Sequence, residues 1–327
     1  MSAKLPTISV ALCTYNGGKY LSEQLQSLAS QSRPIDQLVI CDDASTDDTQ
    51  TLLRDFAATA AVPTRIQLNP KRLGVAQNFQ QAISLCHGTF IFLCDQDDRW
   101  RPDKVARLLQ CFADEKIGLA FSNARIIQSD GSATGRRFWD SISFNSAQQA
   151  SVKSGHAIPV LLRHAIAAGS MLAFRAKFLP LILPLPDLPR SHDIWISTLI
   201  ASVAKMAPLD EDLIDYRLHD ANQIGIPPAG LTGQIEMARR QIRQNAFGLS
   251  ADLHQLILSR LTSLRSDWPV ADETLDLLRQ KIDHSRARQS LPGWPKRLGF
   301  IGAELRRGNY AKYSYGYKSV LQDLFLR

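Results

Sequence analysis

The stretch Phe90–Lys104, FIFLCDQDDRWRPDK, constrains the fold of this chain more than any other. An apolar run from Phe90 to Cys94 ends abruptly in Asp95-Gln96-Asp97-Asp98. Such a run has the length of a buried parallel strand. Arg101-Pro102 breaks the pattern, and Asp103 opens an amphipathic helix with Val105, Leu108, Leu109 and Phe112 on one face. Three carboxylates crowded at the end of a hydrophobic strand repel one another, and a folded chain needs a reason to keep them. A divalent cation is the most economical one, because hard metals take oxygen ligands and retain waters and substrate phosphates. The alternative is that Asp98 and Asp103 cap a helix while the other charges are solvated.

The same pattern recurs upstream. Ile8–Cys13 reads as a strand that ends in Thr14-Tyr15-Asn16-Gly17-Gly18, before a helix from Tyr20 to Ser30. Gln37–Cys41 reads as a second strand, ending in Asp42-Asp43-Ala44-Ser45-Thr46-Asp47 before a helix with Leu52, Leu53 and Phe56 inward. Arg65–Leu68 is a third, followed by the turn Asn69–Gly74 and a helix through Asn78, Phe79, Ala82 and Ile83. Strand–helix alternation of this kind predicts an α/β fold with a mostly parallel sheet flanked by helices. In such sheets ligands bind outside the carboxyl ends of the strands, so the polar clusters converge on one edge. The chain has no G-x-G-x-x-G and no Walker A pattern. Phosphates would then be handled by metal and by side chains such as Arg72, with Lys71 beside it, rather than by a glycine-rich cradle.

Further on, Ile117–Ser122 reads as a strand leading into a hairpin through Gln128–Ser132. Arg136, Arg137, Phe138 and Trp139 read either as a mobile loop over the site or as surface. Gly169–Phe174 is apolar with small residues at its start, as expected where a strand passes close to a ligand. Ser191-His192-Asp193-Ile194-Trp195 starts a helix, and Ser191 or Asp193 could be its N-cap. A short strand near Leu213 precedes Tyr216-Arg217-Leu218-His219-Asp220. Gly225–Gly230, with two prolines, reads as a boundary between residues 1–225 and a helical extension over 226–327.

Five cysteines, without a CxxC pair, argue for buried thiols in a reducing compartment. No apolar stretch reaches the roughly 18 residues that span a bilayer, and the first residues lack the apolar core of a signal peptide. A cytoplasmic location is therefore expected. The net charge of +7 is uneven: residues 1–230 hold 22 basic and 22 acidic side chains, residues 231–327 hold 16 and 9. The last stretch interleaves Lys296, Arg297, Arg306, Arg307, Lys312 and Lys318 with Trp294, Phe300, Tyr310, Tyr313, Tyr315, Tyr317 and Phe325. This suits an anionic membrane surface, and it equally suits a helical cap with ordinary surface charge.

Taken in order, Thr14-Tyr15-Asn16-Gly17, Asp42-Asp43-x-Ser45-x-Asp47, Gly74-x3-Asn78, Asp95-Gln96-Asp97-Asp98-x-Trp100 and His192-Asp193-x-Trp195 form a series. It resembles the family 2 glycosyltransferases of GT-A type over roughly residues 6–225. The DQDD variant and the later Tyr-Arg-x-His are similar to the bacterial rhamnosyltransferase-like branch that builds surface polysaccharides. The resemblance implies a Rossmann-like GT-A fold and an inverting, metal-dependent sugar transfer. The donor would be a dTDP- or UDP-sugar and the cofactor Mg²⁺ or Mn²⁺. The acceptor would be a lipid-linked glycan at the cytoplasmic face of the inner membrane, with no nucleic acid involved. It places Thr14, Tyr15 and Asn16 against the base and ribose, with Asn78 and Gln96 in the donor-binding set. Asp42 or Asp43 would hydrogen-bond the base, and Arg72 would lie near the base or diphosphate. Asp95 and Asp97 become the DxD pair, Asp97 the better metal ligand and Asp95 nearer the ribose, with His219 completing the metal or diphosphate site. Asp193 takes the place of the general base, and Gly169, Ser170, His192 and Trp195 form the acceptor side. Two readings from other classes remain at this point: a sugar-phosphate nucleotidyltransferase, which also gathers carboxylates around a metal, and a nucleic-acid binder acting through the basic tail.

Overall fold

Three apolar segments of the chain and one mixed edge segment lie side by side in one sheet. In the computed structural model, which describes residues 6–189, 191–219 and 231–326, they are β1 (Ile8–Thr14), β2 (Gln37–Asp42), β3 (Thr64–Leu68) and β4 (Phe90–Cys94). Helices α1 (Leu21–Ala29), α2 (Thr49–Thr59) and α3 (Val75–Ser84) alternate with them. Strands β1, β2 and β4 are buried along their whole length. That is why each reads as an unbroken apolar run rather than an alternating one. All four run parallel in the order β3-β2-β1-β4. The register sets Cys13 beside Cys41 and Leu12 beside Cys94, so the three polar clusters leave the sheet side by side.

The second half of the sheet is mixed. After β5 (Arg99–Trp100) and α4 (Lys104–Cys111), β6 (Ile117–Ile127) and β7 (Ala133–Arg137) form the expected hairpin. Arg137 is therefore not in a loop; its guanidinium is paired with Asp210 and Asp212, and Phe138 and Trp139 are buried. Short helices α5 (Phe138–Ser141), α6 (Ser146–Lys153) and α7 (Ile158–Leu161) follow. A single 3-10 turn, Gly169–Met171, then leads into β8 (Leu172–Arg175), which runs antiparallel to both β4 and β6. After α8 (Leu179–Ile182) and α9 (His192–Ala201), β9 (Lys205–Arg217) runs parallel to β6 and antiparallel to β5. The full order is β3-β2-β1-β4-β8-β6-β9-β5, with β7 on β6. The strand expected near Leu213 is thus much longer than its apolar signal, because its middle carries Asp210, Glu211 and Asp212 toward arginines of neighbouring elements.

The expected boundary at Gly225–Gly230 lies outside the described residues. Beyond it are α10 (Leu231–Arg243), α11 (Ala246–Ser263), α12 (Asp272–Gln289), α13 (Lys296–Arg306), α14 (Asn309–Tyr313) and α15 (Tyr317–Phe325). These helices dock on the sheet layer: Trp268 packs on Phe178 at 5.4 Å, and Arg260 donates to the carbonyls of Pro180 (2.8 Å), Leu181 (3.0 Å) and Leu183. Some of the tail's bases and aromatics point inward. Tyr310, Tyr313 and Arg297 are buried, and Arg288 is held by Asp323, Gln322 and Ser314. Trp294, Leu298, Leu305, Tyr315, Tyr317, Leu321 and Phe325 remain exposed.

Candidate functional site

The carboxyl ends of β1, β2 and β4 open into a cleft of about 1050 Å³. Each of the three strand-end clusters contributes to its lining, as do the start of α9 and the end of β9. Thr14, Tyr15, Asn16, Asp43, Arg72, Asn78, Asp95, Gln96, Asp97, Gly169, His192, Asp193 and His219 all line it. Residues as far apart in the chain as Cys13 and His219 thereby share one cavity.

The Tyr15 segment is held rigidly. Gln96 grips both backbone groups of Tyr15, its Oε1 accepting from the amide at 2.8 Å and its Nε2 donating to the carbonyl at 3.0 Å. A Cβ on Gly17 would lie 2.2 Å from Gln96 Oε1, so any side chain there would displace the Gln96 amide from Tyr15. Asn16 has φ +46 and its Oδ1 accepts from Thr46 N at 2.8 Å. The Arg72 guanidinium stacks over the Tyr15 ring at 4.0 Å, which sets a cation and an aromatic face together on the cleft wall.

Several residues of the expected substrate set are engaged by the protein, some while still lining the cleft and some away from it. Asp42 does not line the cleft; its carboxylate accepts from Thr14 Oγ1 (2.8 Å), Ser45 N (2.9 Å), Ser45 Oγ (2.5 Å) and Gln50 (3.2 Å). Successive strand residues face opposite ways, so only its neighbour Asp43 turns toward the cavity. Even Asp43 is engaged by Leu73 N (2.6 Å) and Gly74 N (2.9 Å), where it fixes the loop that carries Arg72. Asn78 donates to Cys41 O at 2.9 Å and accepts from Asn69, and the Gln96 amide is used on Tyr15. Ser170 is fully buried and bonded to Asp98, below the cleft rather than on its wall. Trp195 is a core residue whose indole donates to Ile182 O at 2.7 Å, and Trp100 is likewise buried outside the lining.

The acidic tip behaves as its crowding predicts. Burial, and then repulsion from Asp97, Asp98 and Asp193, push Asp95 well above the usual carboxylate range. Asp193 is close enough to figure in that repulsion, so the acidic tip and the start of α9 face the same space. Asp193 is itself raised, mainly by burial, with His192 opposing. It does not cap α9 by accepting from the helix two or three residues on; its Oδ1 accepts from the adjacent Ile194 N at 2.8 Å. Asp97 Oδ2 lies 2.8 Å from His219 Nε2. His192 stacks on Phe79 at 4.5 Å and abuts Gly169, where a Cβ would come within 2.6 Å of its Nε2. Gly169 is therefore dictated by close approach.

Among the described residues no three His, Cys, Asp or Glu side chains converge as a ready-made metal cage. A cation that keeps waters and takes substrate phosphates needs only one or two protein carboxylates. The donor set fits that requirement: hard oxygens of Asp95 and Asp97, with His219 against Asp97 and repulsion around Asp95 that Lys104 offsets only in part. The thiols do not compete. Cys13 lines the cleft but burial pushes it up, and Cys94 is buried with Gln24 Nε2 on its sulfur.

The sequence singled out fewer residues than the cleft contains. Lys19, Tyr20, Gln128, Ser129 and Tyr216 also line it. Gln128 and Ser129 carry only a turn signal, and it is the pairing of β6 with β7 and β9 that brings that turn to the site.

This mixed α/β sheet, with an acidic strand tip, an aromatic–arginine wall and a downstream aspartate at its carboxyl edge, has the GT-A architecture. Residues 9–163 match the model of glycosyl transferase family 2. It is 26% identical to the uncharacterized glycosyltransferase alr2836 of Nostoc sp. over 287 residues, 81% of this chain and 85% of that protein. It is 32% identical to the dTDP-rhamnosyl transferase RfbG of Shigella flexneri, but over only 36% of this chain and 40% of RfbG. Among solved structures, S. aureus TarS 1-349 in complex with UDP-GlcNAc superposes with a TM-score of 0.57 at 15% identity, covering 86% of this chain and 72% of that one. The mannosyltransferase PcManGT from Pyrobaculum calidifontis, in complex with GDP-Man and Mn²⁺, gives a TM-score of 0.53 at 18% identity, covering 93% and 76%. At those identities the two structures speak for the fold.

Proposed function

We propose that this glycosyltransferase moves a sugar from a nucleotide-sugar donor to a hydroxyl of a growing surface polysaccharide, with inversion at the anomeric carbon. The single observation that carries this reading is the meeting of Asp193 with Asp95 and Asp97 in one cleft at the strand ends. The donor's base and ribose lie along Thr14–Asn16, and Arg72 approaches the diphosphate from its place over Tyr15. Asp95, Asp97 and His219 would hold Mg²⁺ or Mn²⁺, which supplies charge neutralisation for the leaving diphosphate. Asp193 accepts the proton of the acceptor hydroxyl as the new C–O bond forms and the bond from the anomeric carbon to the phosphate oxygen breaks. A single base at the reaction centre gives inversion in one step, unlike the carboxylate pair of glycosidases.

RfbG, named for a dTDP-rhamnosyl donor, makes dTDP-rhamnose the first donor to test, and UDP-sugars follow from the TarS complex. The acceptor reading is a lipid-linked glycan, with residues 1–225 as the catalytic unit and the helices beyond 226 resting at the cytoplasmic face of a membrane. No helix of the described residues is long and apolar enough to cross one. The exposed Trp294, Tyr317 and Phe325, with Lys296 and Lys318 nearby in the chain, support surface attachment. The test is a panel of dTDP-, UDP- and GDP-sugars with Mn²⁺. Donor consumption that stops on chelation, and a product of inverted configuration by NMR, are expected. A retained anomeric configuration, or full activity after chelation, would overturn the mechanism.

A further inference from the structure

Asp98 is the one carboxylate of the acidic tip that does not line the cleft. It is buried to 1% exposure, and each of its oxygens holds a different part of the site. Oδ2 accepts from Ser170 Oγ at 2.7 Å, and Oδ1 accepts from the backbone N–H of Arg217 at 3.2 Å. Ser170 follows Gly169, which faces the cleft beside His192 and Asp193. Its carbonyl is pinned as well, by Lys104 Nζ at 2.6 Å, and Lys104 sits 3.3 Å above the Trp100 ring. Arg217 reaches the opposite wall. Its Nε donates to Asp97 O at 2.9 Å and a terminal nitrogen pairs with Glu23 at 2.9 Å. Two residues on, His219 meets Asp97 Oδ2.

We infer that Asp98 is a positioning residue, neither a metal ligand nor a substrate contact, that sets the spacing between the Gly169 wall and the Asp97–His219 wall. This rests on the transfer reading above, in which those walls hold the acceptor and the donor's diphosphate. The two bonds need an acceptor toward Arg217 and a partner for a hydroxyl, and no charge. Asparagine satisfies both, with Oδ1 accepting from Arg217 N and Nδ2 donating to Ser170 Oγ after the hydroxyl turns. Alanine satisfies neither.

The test compares Asp98→Asn, Asp98→Ala and Ser170→Ala in the full chain, reading acceptor KM, donor KM and half-saturation by Mn²⁺. Ser170→Ala should raise acceptor KM alone. Asp98→Ala should raise acceptor KM and also weaken Mn²⁺ by about 10-fold or more, the usual range for an outer partner of a ligand. Asp98→Asn should restore both to within about threefold of the parent. An Asp98→Asn variant as poor with Mn²⁺ as Asp98→Ala would make Asp98 a ligand and overturn the inference. Loss of folded protein with both KM values unchanged would reduce Asp98 to a structural residue and overturn it equally. Thermal unfolding tests the bond without any substrate: Ser170→Ala should lower Tm in the parent and leave it unchanged in Asp98→Ala. Equal losses in both backgrounds would sink the inference, whereas intact coupling with no donor ever consumed would sink only the transfer reading.

Discussion

As the proposed base, Asp193 would act only in its ionised form, and burial holds its proton more tightly than in a free aspartate. The sign follows directly. A raised pKa shifts the protonated, inactive form to higher pH, so kcat/KM should fall on acidification with an apparent pKa above the ordinary 3.8 of aspartate. Asp193→Asn should remove this acidic limb and lower kcat by about 10²- to 10⁴-fold, the usual span for general-base catalysis. A pH–rate profile of both proteins checks it; an unchanged limb in the variant would assign the titration elsewhere. At this scale the site was legible where a residue's chemistry is strong and its place in the strand end is set. Asp95, Asp97, Asp193 and His219 do share one cleft. It was not legible where direction decides. Asp42 and Asp43 are adjacent and identical, and only the alternation of the strand turns one inward and one toward the cavity. Ser170 and Trp195 read as wall residues because their neighbours are, yet packing against Asp98 and Ile182 turns them away.

Among the elements, the parallel strands β1, β2 and β4 could be read from sequence almost to the residue, since burial on both faces leaves a nearly continuous apolar run, whereas the edge strand β3 is half-exposed and showed itself by its place in the strand–helix alternation. The strands β5 and β9 could not, because β5 is two residues long and β9 carries Asp210, Glu211 and Asp212 at its middle. The terminal helices offer a sharper test of packing. His284 on α12 is buried between Glu304 of α13 (2.5 Å), Ser314 (2.9 Å) and Tyr310, with Arg288 and Lys281 on its own helix. Burial depresses it from 6.5 to about 4, and His254 on α11 to about 3. Both rings are therefore neutral when folded, whereas unfolded histidines take a proton near 6.5. Between pH 6.5 and 4 the unfolded chain binds more protons, so stability should fall as pH drops through that window. His284 alone accounts for on the order of 3 kcal/mol of that loss. Denaturant unfolding at pH 7 and pH 5, for the parent and for His284→Gln, should show the acid loss reduced in the variant. Equal losses would place the titration in another group.

For the whole molecule, the proposed function joins a cleft at the carboxyl edge of the sheet to a helical face that would rest on a membrane. Tyr317 is 72% exposed and Phe325 is 74% exposed, both on α15, which also carries Lys318. Burying one large apolar side chain contributes roughly 1.5–3 kcal/mol. Replacing both Tyr317 and Phe325 by serine should thus weaken binding to vesicles of anionic lipid by at least about tenfold, measured by sedimentation. Equal binding by parent and variant would move the contact to another face. The measurement that bears most directly on the central claim separates binding from chemistry in that cleft. Calorimetric titration of the nucleoside diphosphate, with and without Mn²⁺, is run on the parent, Asp97→Ala and Asp193→Asn, beside a transfer assay on the same proteins. The account predicts metal-dependent nucleotide binding that is lost in Asp97→Ala and kept in Asp193→Asn, with transfer lost in Asp97→Ala and slowed at least about 10²-fold in Asp193→Asn. Metal-independent binding in the parent, or transfer at the parental rate in Asp193→Asn, would contradict it.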